Sequence, residues 1–407
     1  MKHFNTFRVV LLLSFLTSLT SITSFADDSL DSVDIALLTC GPGQEVYSLY
    51  GHTAIRYVDH RTGEDLVVNY GMFSFQQHYF VLRFVFGLTD YQMGITPFDY
   101  FMGEYESEGR WVYQQMLALT PDQKKRIVDA LARNYQPQNR TYRYNFFYNN
   151  CTTKARDMIV DNLGCAVEYP KCVLDGVTFR SMLHQWNDSY PWSRLGNDLL
   201  LGVNADRQVT RAERQFLPDS LRKDFDGAYV LPPSGGRRKL VSASSMLYAP
   251  SSEKTSGKET LSSILDNVVI PPVVATVWLA VIALVALVEK RIRKIFWGVD
   301  AFFLSVLGVA GLILTAMIFS KHPAVSLNFQ IFLLSPLFLV ALWPTVKGLR
   351  RHHFSKWIYI IGISVLLFLF LGIWQKYDAM MCVLALSLLF RIAVLYNWCR
   401  NFKEKTV

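Results

Sequence analysis

The chain reads as an exported domain of mixed α and β structure followed by an all-α bundle of five membrane-spanning helices. Three observations predict this. An export signal opens the chain, the middle has ordinary globular composition, and five apolar stretches fill the last third. Of 407 residues, 51% are hydrophobic and only 18% charged, against about 25% charged in an average soluble domain. Mean hydropathy is +0.20. An aromatic content of 14% excludes a disordered chain. Six cysteines over this length exclude a small disulfide scaffold.

The elements follow in chain order. Lys2 and Arg8 give a positive start, Val9–Leu19 an apolar stretch, and Ser24-Phe25-Ala26 a small-x-small cleavage site. Residues 1–26 are expected to be a signal peptide of bacterial grammar. Residues 27–233 suffice for one exported domain. In it, Val33–Leu38, Tyr47–Val58 and Leu66–Tyr70 alternate as strands, with Asp59–Glu64 as a hairpin turn. Thr120-Pro121-Asp122-Gln123 is a helix start: a Thr cap, Pro at the first position, Gln three residues on. Ile127, Val128, Leu131 and Tyr135 give that helix one apolar face. Tyr142–Tyr148 reads as an aromatic-rich strand. Asn149–Thr153 then opens a helix carrying Ala155, Met158, Ile159 and Leu163 on one side, with Gly164 as its stop. Residues 234–269, Ser-rich and poor in large apolar side chains, are expected to be a flexible linker.

The apolar stretches are Ile270–Val288, Trp297–Phe319, Phe329–Val346, Trp357–Trp374 and Ala379–Tyr396, each near the roughly 20 residues a bilayer requires. The connection after the first is basic (Lys290, Arg291, Arg293, Lys294). So is the third, with Lys347, Arg350, Arg351 and Lys356, and so is the tail from residue 397 to 407. The connections around Lys321 and Lys376 are nearly neutral. This alternation fits the positive-inside rule with residues 27–269 outside and the C-terminus in the cytoplasm, the mark of a multi-pass inner-membrane protein. It also explains the net charge of +8 as topology, not as a nucleic-acid footprint. Arg391, the one charge within a span, is expected to snorkel toward the inner surface.

Cys151 begins a helix. There the N-terminal end of the helix dipole and the free amides stabilise a thiolate, and the same amides can hold an oxyanion. A nucleophilic cysteine needs a base, and His52 on a strand, with Gly51 leaving room beside it, is the candidate. Taken alone, a cysteine at a helix start also suits a buried packing role, and a strand histidine a structural one. Asn69, His60 and Asp59 are candidates for orienting the histidine. Asn150 either caps the helix or helps bind substrate; Arg156 either grips a lipid phosphate or pairs with Asp157. Cys165 and Cys172, in an oxidising compartment with Tyr169-Pro170 between them, are expected to form a disulfide. Cys40 is a packing residue or a spare thiol. No metal-ligand spacing is present, and no cofactor is implied.

Two stretches carry a resemblance: Glu45–Arg56, holding Tyr50-Gly51-His52-Thr53-Ala54, and Tyr142–Asp157, holding Asn149-Asn150-Cys151-Thr152-Thr153. Val68–Phe75 and Asn197–Gly202 with Ala205-Asp206 add to it. Together they resemble a Bacteroidetes membrane-protein family whose periplasmic part is known as the Lnb N-terminal domain. That family is assigned as a lipoprotein N-acyltransferase, on a circularly permuted papain-like (NlpC/P60-type) α+β fold with the histidine before the cysteine. The resemblance implies Cys151 as nucleophile and His52 as base, and it favours Asn69, inside a matching stretch, as third member. It implies a phospholipid as acyl donor and a diacylated lipoprotein as acceptor. A membrane-tethered cysteine hydrolase cutting peptidoglycan or peptide uses the same pair. A non-catalytic interaction module uses neither residue.

Overall fold

Alternating apolar residues bounded by turns build the sheet. The computed structural model describes residues 30–45, 48–73, 78–250 and 269–403. The expected signal peptide and residues 251–268 of the expected linker lie outside these. In chain order the domain comprises β1 (Val33–Cys40), β2 (His52–Asp59), β3 (Glu64–Met72), α1 (Phe80–Val85), β4 (Asp90–Pro97), α2 (Phe98–Ser107) and β5 (Val112–Leu117). Next come α3 (Pro121–Tyr135), β6 (Thr141–Arg143), α4 (Cys151–Val160), β7 (Ala166–Glu168), α5 (Phe179–Asn187), α6 (Pro191–Leu200), α7 (Arg211–Arg214), α8 (Pro218–Asp226), β8 (Tyr229–Leu231), β9 (Arg238–Lys239) and β10 (Val241–Tyr248). Seven strands form one antiparallel sheet in the order β10-β5-β1-β2-β3-β4-β6. One face buries Ile35, Leu37, Ile55 and Val68 against Ile127 of α3, Ile159 of α4 and Phe225 of α8. The other buries Leu38, Ala54 and Val67 against Phe101 and Tyr105 of α2. The expected capping box of α3 is present, with Thr120 accepting from the Gln123 amide.

Two expectations about this domain are corrected. The expected linker is structured at its start: β9 joins the small β7–β8 sheet, and β10 is an edge strand on β5. Its serines face solvent, so the middle of the strand is held by the backbone ladder, with Val241 buried in the core at its start. The expected strand over Tyr142–Tyr148 stops at Arg143. Asn145 then turns the chain, its Oδ1 accepting from the amides of Phe147 (3.1 Å) and Tyr148 (3.3 Å).

The last third consists of α9 (Pro271–Ile292), α10 (Trp297–Met317), a short helical turn Phe329–Phe332 leading into α11 (Leu337–Arg350), α12 (Lys356–Leu371) and α13 (Ala379–Lys403). Four segments are long and apolar enough to cross a membrane: Pro271–Ile292, Trp297–Met317, Phe329–Arg350 and Ala379–Asn401. The expected fourth of five spans forms the shorter apolar helix Lys356–Leu371.

Arg391 does not snorkel. It is 1% exposed and forks onto two carboxylates, Glu289 of α9 (2.5 and 2.8 Å) and Asp300 of α10 (2.7 and 2.8 Å). These carboxylates come from neighbouring helices at its own depth and take the place of the water it would otherwise reach.

The two nearly neutral connections pack directly on the exported domain. The amides of Gly202 and Val203 donate to the carbonyls of Ala324 (2.8 Å) and Leu327 (2.9 Å). Asn328 donates to the Leu199 carbonyl, Gln330 to that of Asp198 and Gln375 to that of Leu201. A Cβ at Gly202 would stand 2.1 Å from the Leu327 oxygen, so only glycine permits this approach. Beneath it the buried Arg180 clamps Asp198 (2.7 Å) and Asp206 (2.8 Å).

Candidate active site

The site lies where β2 begins, β3 ends and α4 starts. Asn150 caps α4, its side chain accepting from the Thr153 amide while Thr153 Oγ1 accepts from the Asn150 amide. That fixes Cys151 as the first helical residue. The amides of Cys151 and Thr152, in the first turn, lie outside the helix ladder. Thr152 is fully buried and shares a hydrogen bond with Thr53 of β2 (3.1 Å), which ties the helix start to the strand carrying His52.

His52 and Asn69 sit on adjacent antiparallel strands, in the register that pairs Ala54 with Asn69. His52 Nε2 lies 2.5 Å from Asn69 Oδ1. An amide oxygen only accepts, so Nε2 carries the proton and Nδ1 is left for the thiol. Continuing the same register places Gly71 opposite His52. A Cβ built on Gly71 stands 3.7 Å from His52 Cε1 and 3.8 Å from Cys151 Cβ, so the glycine, at φ +117°, lines the site beside both base and thiol. Gly51 serves a different purpose from the expected one. Its φ is +80°, and a Cβ there would meet the Cys40 carbonyl at 2.5 Å.

The electrostatics separate two neighbouring thiols. Burial raises the Cys151 thiol, but the charge and hydrogen bond of His52, the Thr53 amide and the Thr152 hydroxyl outweigh it and bring it down to about 7. Burial lowers His52, but the Cys151 thiolate and the Asn69 bond outweigh that and hold it above the usual imidazole range. Both statements describe one favoured thiolate–imidazolium pair. Cys151 and His52 are half-buried, which leaves the pair within reach of a substrate. Cys40, paired with His52 across β1 and β2, is buried among apolar side chains and pushed up to about 12. It is a packing thiol.

The other expected residues divide clearly. His60 and Asp59 stand at the opposite end of β2 from His52; His60 bonds Asp34, and Asp59 bonds Ser32 and the Arg61 amide. Asn150 is not free to contact substrate, since its Oδ1 caps the helix and its Nδ2 donates to the carbonyls of Phe146 and Phe216. Arg156 is held by Asp157, the Ala212 carbonyl and Gln215, and so braces α4 against α7. Cys165 and Cys172 are free thiols; Cys165 instead bonds the Leu163 carbonyl and accepts from Gln123. Among the described residues no three His, Cys, Asp or Glu side chains are grouped to hold a metal. Gly71 and Thr53 were missed in the sequence. A glycine inside a strand pattern, as in Tyr70-Gly71-Met72, was the available signal for Gly71.

The comparisons bear on this geometry. The family model of the Lnb N-terminal periplasmic domain matches residues 24–171, and that of the Lnb transmembrane domain matches residues 263–402. The chain belongs to the Lnb family. Its first Lnb segment contains Cys151, His52, Asn69 and Gly71, and its second contains all five apolar helices. The protein is therefore a membrane protein with a periplasmic domain. No curated protein and no solved structure matches the chain.

Proposed function

We propose that this Lnb-family chain is a lipoprotein N-acyltransferase of the bacterial inner membrane, with Cys151 as nucleophile, His52 as base and Asn69 as the residue that orients it. The observation that carries the reading is the Cys151–His52–Asn69 array in a periplasmic domain docked on its own membrane helices. Both lipid substrates of such a reaction reside in the leaflet beneath that domain. The histidine precedes the cysteine in the chain, as in a permuted papain-like enzyme. Lys356–Leu371, with the turns that follow it, also crosses the membrane, as the fourth of five spans in chain order, and the C-terminus is cytoplasmic.

The reaction proceeds in two halves. The Cys151 sulfur attacks the ester carbonyl of a phospholipid acyl chain. A C–S bond forms, the C–O bond breaks, and the departing lysophospholipid alkoxide takes the proton from imidazolium His52. The amides at the start of α4 face the oxyanion of each tetrahedral intermediate. The free α-amine of a diacylglyceryl-cysteine then attacks the thioester. A C–N bond forms, His52 takes the amine proton, and the C–S bond breaks to return the thiolate. The two half-reactions share one site, which is the ping-pong pattern.

The test is mass spectrometry of lipoprotein N-terminal peptides from a host lacking other N-acylation activity, expressing the protein or its Cys151→Ala variant. A third acyl chain that requires Cys151 establishes the reading. Diacyl lipoproteins in both strains, with the protein inserted and folded, overturn it in favour of a hydrolase that passes the same acyl-thioester chemistry to water or another acceptor.

A further inference from the structure

Between β3 and β4 the chain makes an excursion that the chemistry above does not use. It contains α1 and presents apolar side chains outward at and around it: Tyr79 before the helix is 71% exposed, Leu82 within it 56%, and Leu88 after it is also exposed. In a soluble domain such a patch is a liability. Here it is tied to the end of a membrane helix. Ser320 Oγ donates to the Val85 carbonyl (2.8 Å), the Lys321 amide to the Phe86 carbonyl (2.9 Å), and His322 Nε2 to the Phe84 carbonyl (3.1 Å). Gly87 makes the fit possible, since a Cβ there would crowd Lys321 and His322 at 3.2–3.3 Å. These anchors follow directly on α10, whose last apolar residue before them, Phe319, is 73% exposed. The outer surface of α1 therefore continues the lipid-facing surface of a span at the level where that span ends.

The inner side of α1 closes a cluster of nearly parallel rings. Phe84 faces Tyr144 at 6.2 Å, Tyr144 stacks on Tyr91 at 4.1 Å, Tyr91 on Phe73 at 4.8 Å, and Phe73 on Phe80 of α1 at 5.4 Å, next to Phe84. Phe73 is two residues from Gly71, the glycine that adjoins Cys151 and His52. Tyr91 and Tyr144 of this cluster stand close enough to Cys151 for its charge to act on them, so the cluster fills the space between α1 and the thiol.

We propose that the Tyr79–Leu88 segment seats in the bilayer leaflet beneath the periplasmic domain, and that the ring cluster behind it, which includes Tyr91 and Tyr144, lines the track along which an acyl chain passes from that leaflet to Cys151. The occupant is the hydrocarbon of a glycerophospholipid. Apolar rings grip it through area and give it no polar partner, so the track accepts chains without reading a head group. The track rests on the acyl-transfer reading; the seating of α1 does not.

The experiment uses the full chain in phosphatidylethanolamine nanodiscs containing phosphatidylcholine with a photoreactive acyl chain. Photolabelling is mapped by peptide mass spectrometry. Label on the Tyr79–Leu88 peptide, in addition to the spans, is the expected result. Label confined to the spans overturns the seating and favours a protein partner for that surface. The track is tested with Leu82→Glu/Leu88→Glu and with Tyr144→Ala, in preparations whose Cys151 still reacts with iodoacetamide. Acyl-thioester on Cys151 is expected to fall at least about tenfold, since acidic side chains at lipid depth are unfavourable by that much or more. Undiminished thioester overturns the track. Absence of thioester in the unaltered protein overturns the acyl-transfer reading and the track with it, while the photolabelling still decides the seating.

Discussion

The Nε2 of His52 and the Oδ1 of Asn69 meet at 2.5 Å across two neighbouring strands, in a register that the hairpin itself enforces. A one-residue slip would turn Asn69 to the opposite face of the sheet. The tautomer of the candidate base is thus set by strand pairing.

Asn69→Ala removes the acceptor and frees the ring. Turnover in the lipoprotein assay is expected to fall about 10- to 100-fold. Asn69→Asp keeps an acceptor at the same place and recovers part of the loss. An unchanged rate in Asn69→Ala would remove Asn69 from the mechanism.

Thiol reactivity gives a pH signature. Cys151 is brought down to about 7, so its alkylation by iodoacetamide should be half-maximal near that pH and decline below it as the thiolate is protonated. In His52→Ala the raising effect of burial is left without its main opponent, and the midpoint moves upward. Cys40, pushed up to about 12, stays unmodified throughout. Equal labelling of the two cysteines would contradict this separation.

Gly71→Ala places a side chain at φ +117°, a conformation L residues avoid, and puts a methyl beside base and nucleophile. A loss of about 1–3 kcal/mol in stability is expected, read by thermal unfolding in detergent. The methyl itself fits at 3.7–3.8 Å from His52 and Cys151, so the alkylation midpoint should stay near that of the unaltered protein; a large rise would show that the backbone strain displaces the pair.

Arg391→Met leaves Glu289 and Asp300 buried without their shared cation. A loss of about 3–5 kcal/mol is expected. Replacing all three together (Arg391→Met, Glu289→Leu, Asp300→Leu) should recover most of it, since an apolar cluster requires no pairing. A triple variant as unstable as the single one would show that the ions contribute more than mutual neutralisation.

The sequence carried what depends on local pattern. The capping box at Thr120, the cysteine opening a helix at Asn150-Cys151, and the hairpin of β2 and β3 are all local grammar, and each is present. What it did not show depends on partners far along the chain. β10 is a strand because β5 offers an edge, which its serines do not announce. Arg391 is buried because Glu289 and Asp300 lie at its depth, about a hundred residues away in sequence. Asn150 and Arg156 were readable as polar residues near the cysteine. Which hydrogen bonds they make was not, because Phe216, Ala212 and Gln215 arrive from a distant segment. Asn69 lay in between: the strand was visible, but its distance to His52 followed only from register.

The junction at Gly202 has a mechanical meaning. Backbone amides of the upper domain end on carbonyls of the helix connections, and a glycine with no side chain closes the gap. A joint of this kind has no play. The domain cannot tilt or slide on its helices without breaking several buried hydrogen bonds at once. The sulfur of Cys151 therefore stands at a set height above the helix ends, like a tool bolted to its bench. Whatever reacts with it must bring its own reactive atom to that height.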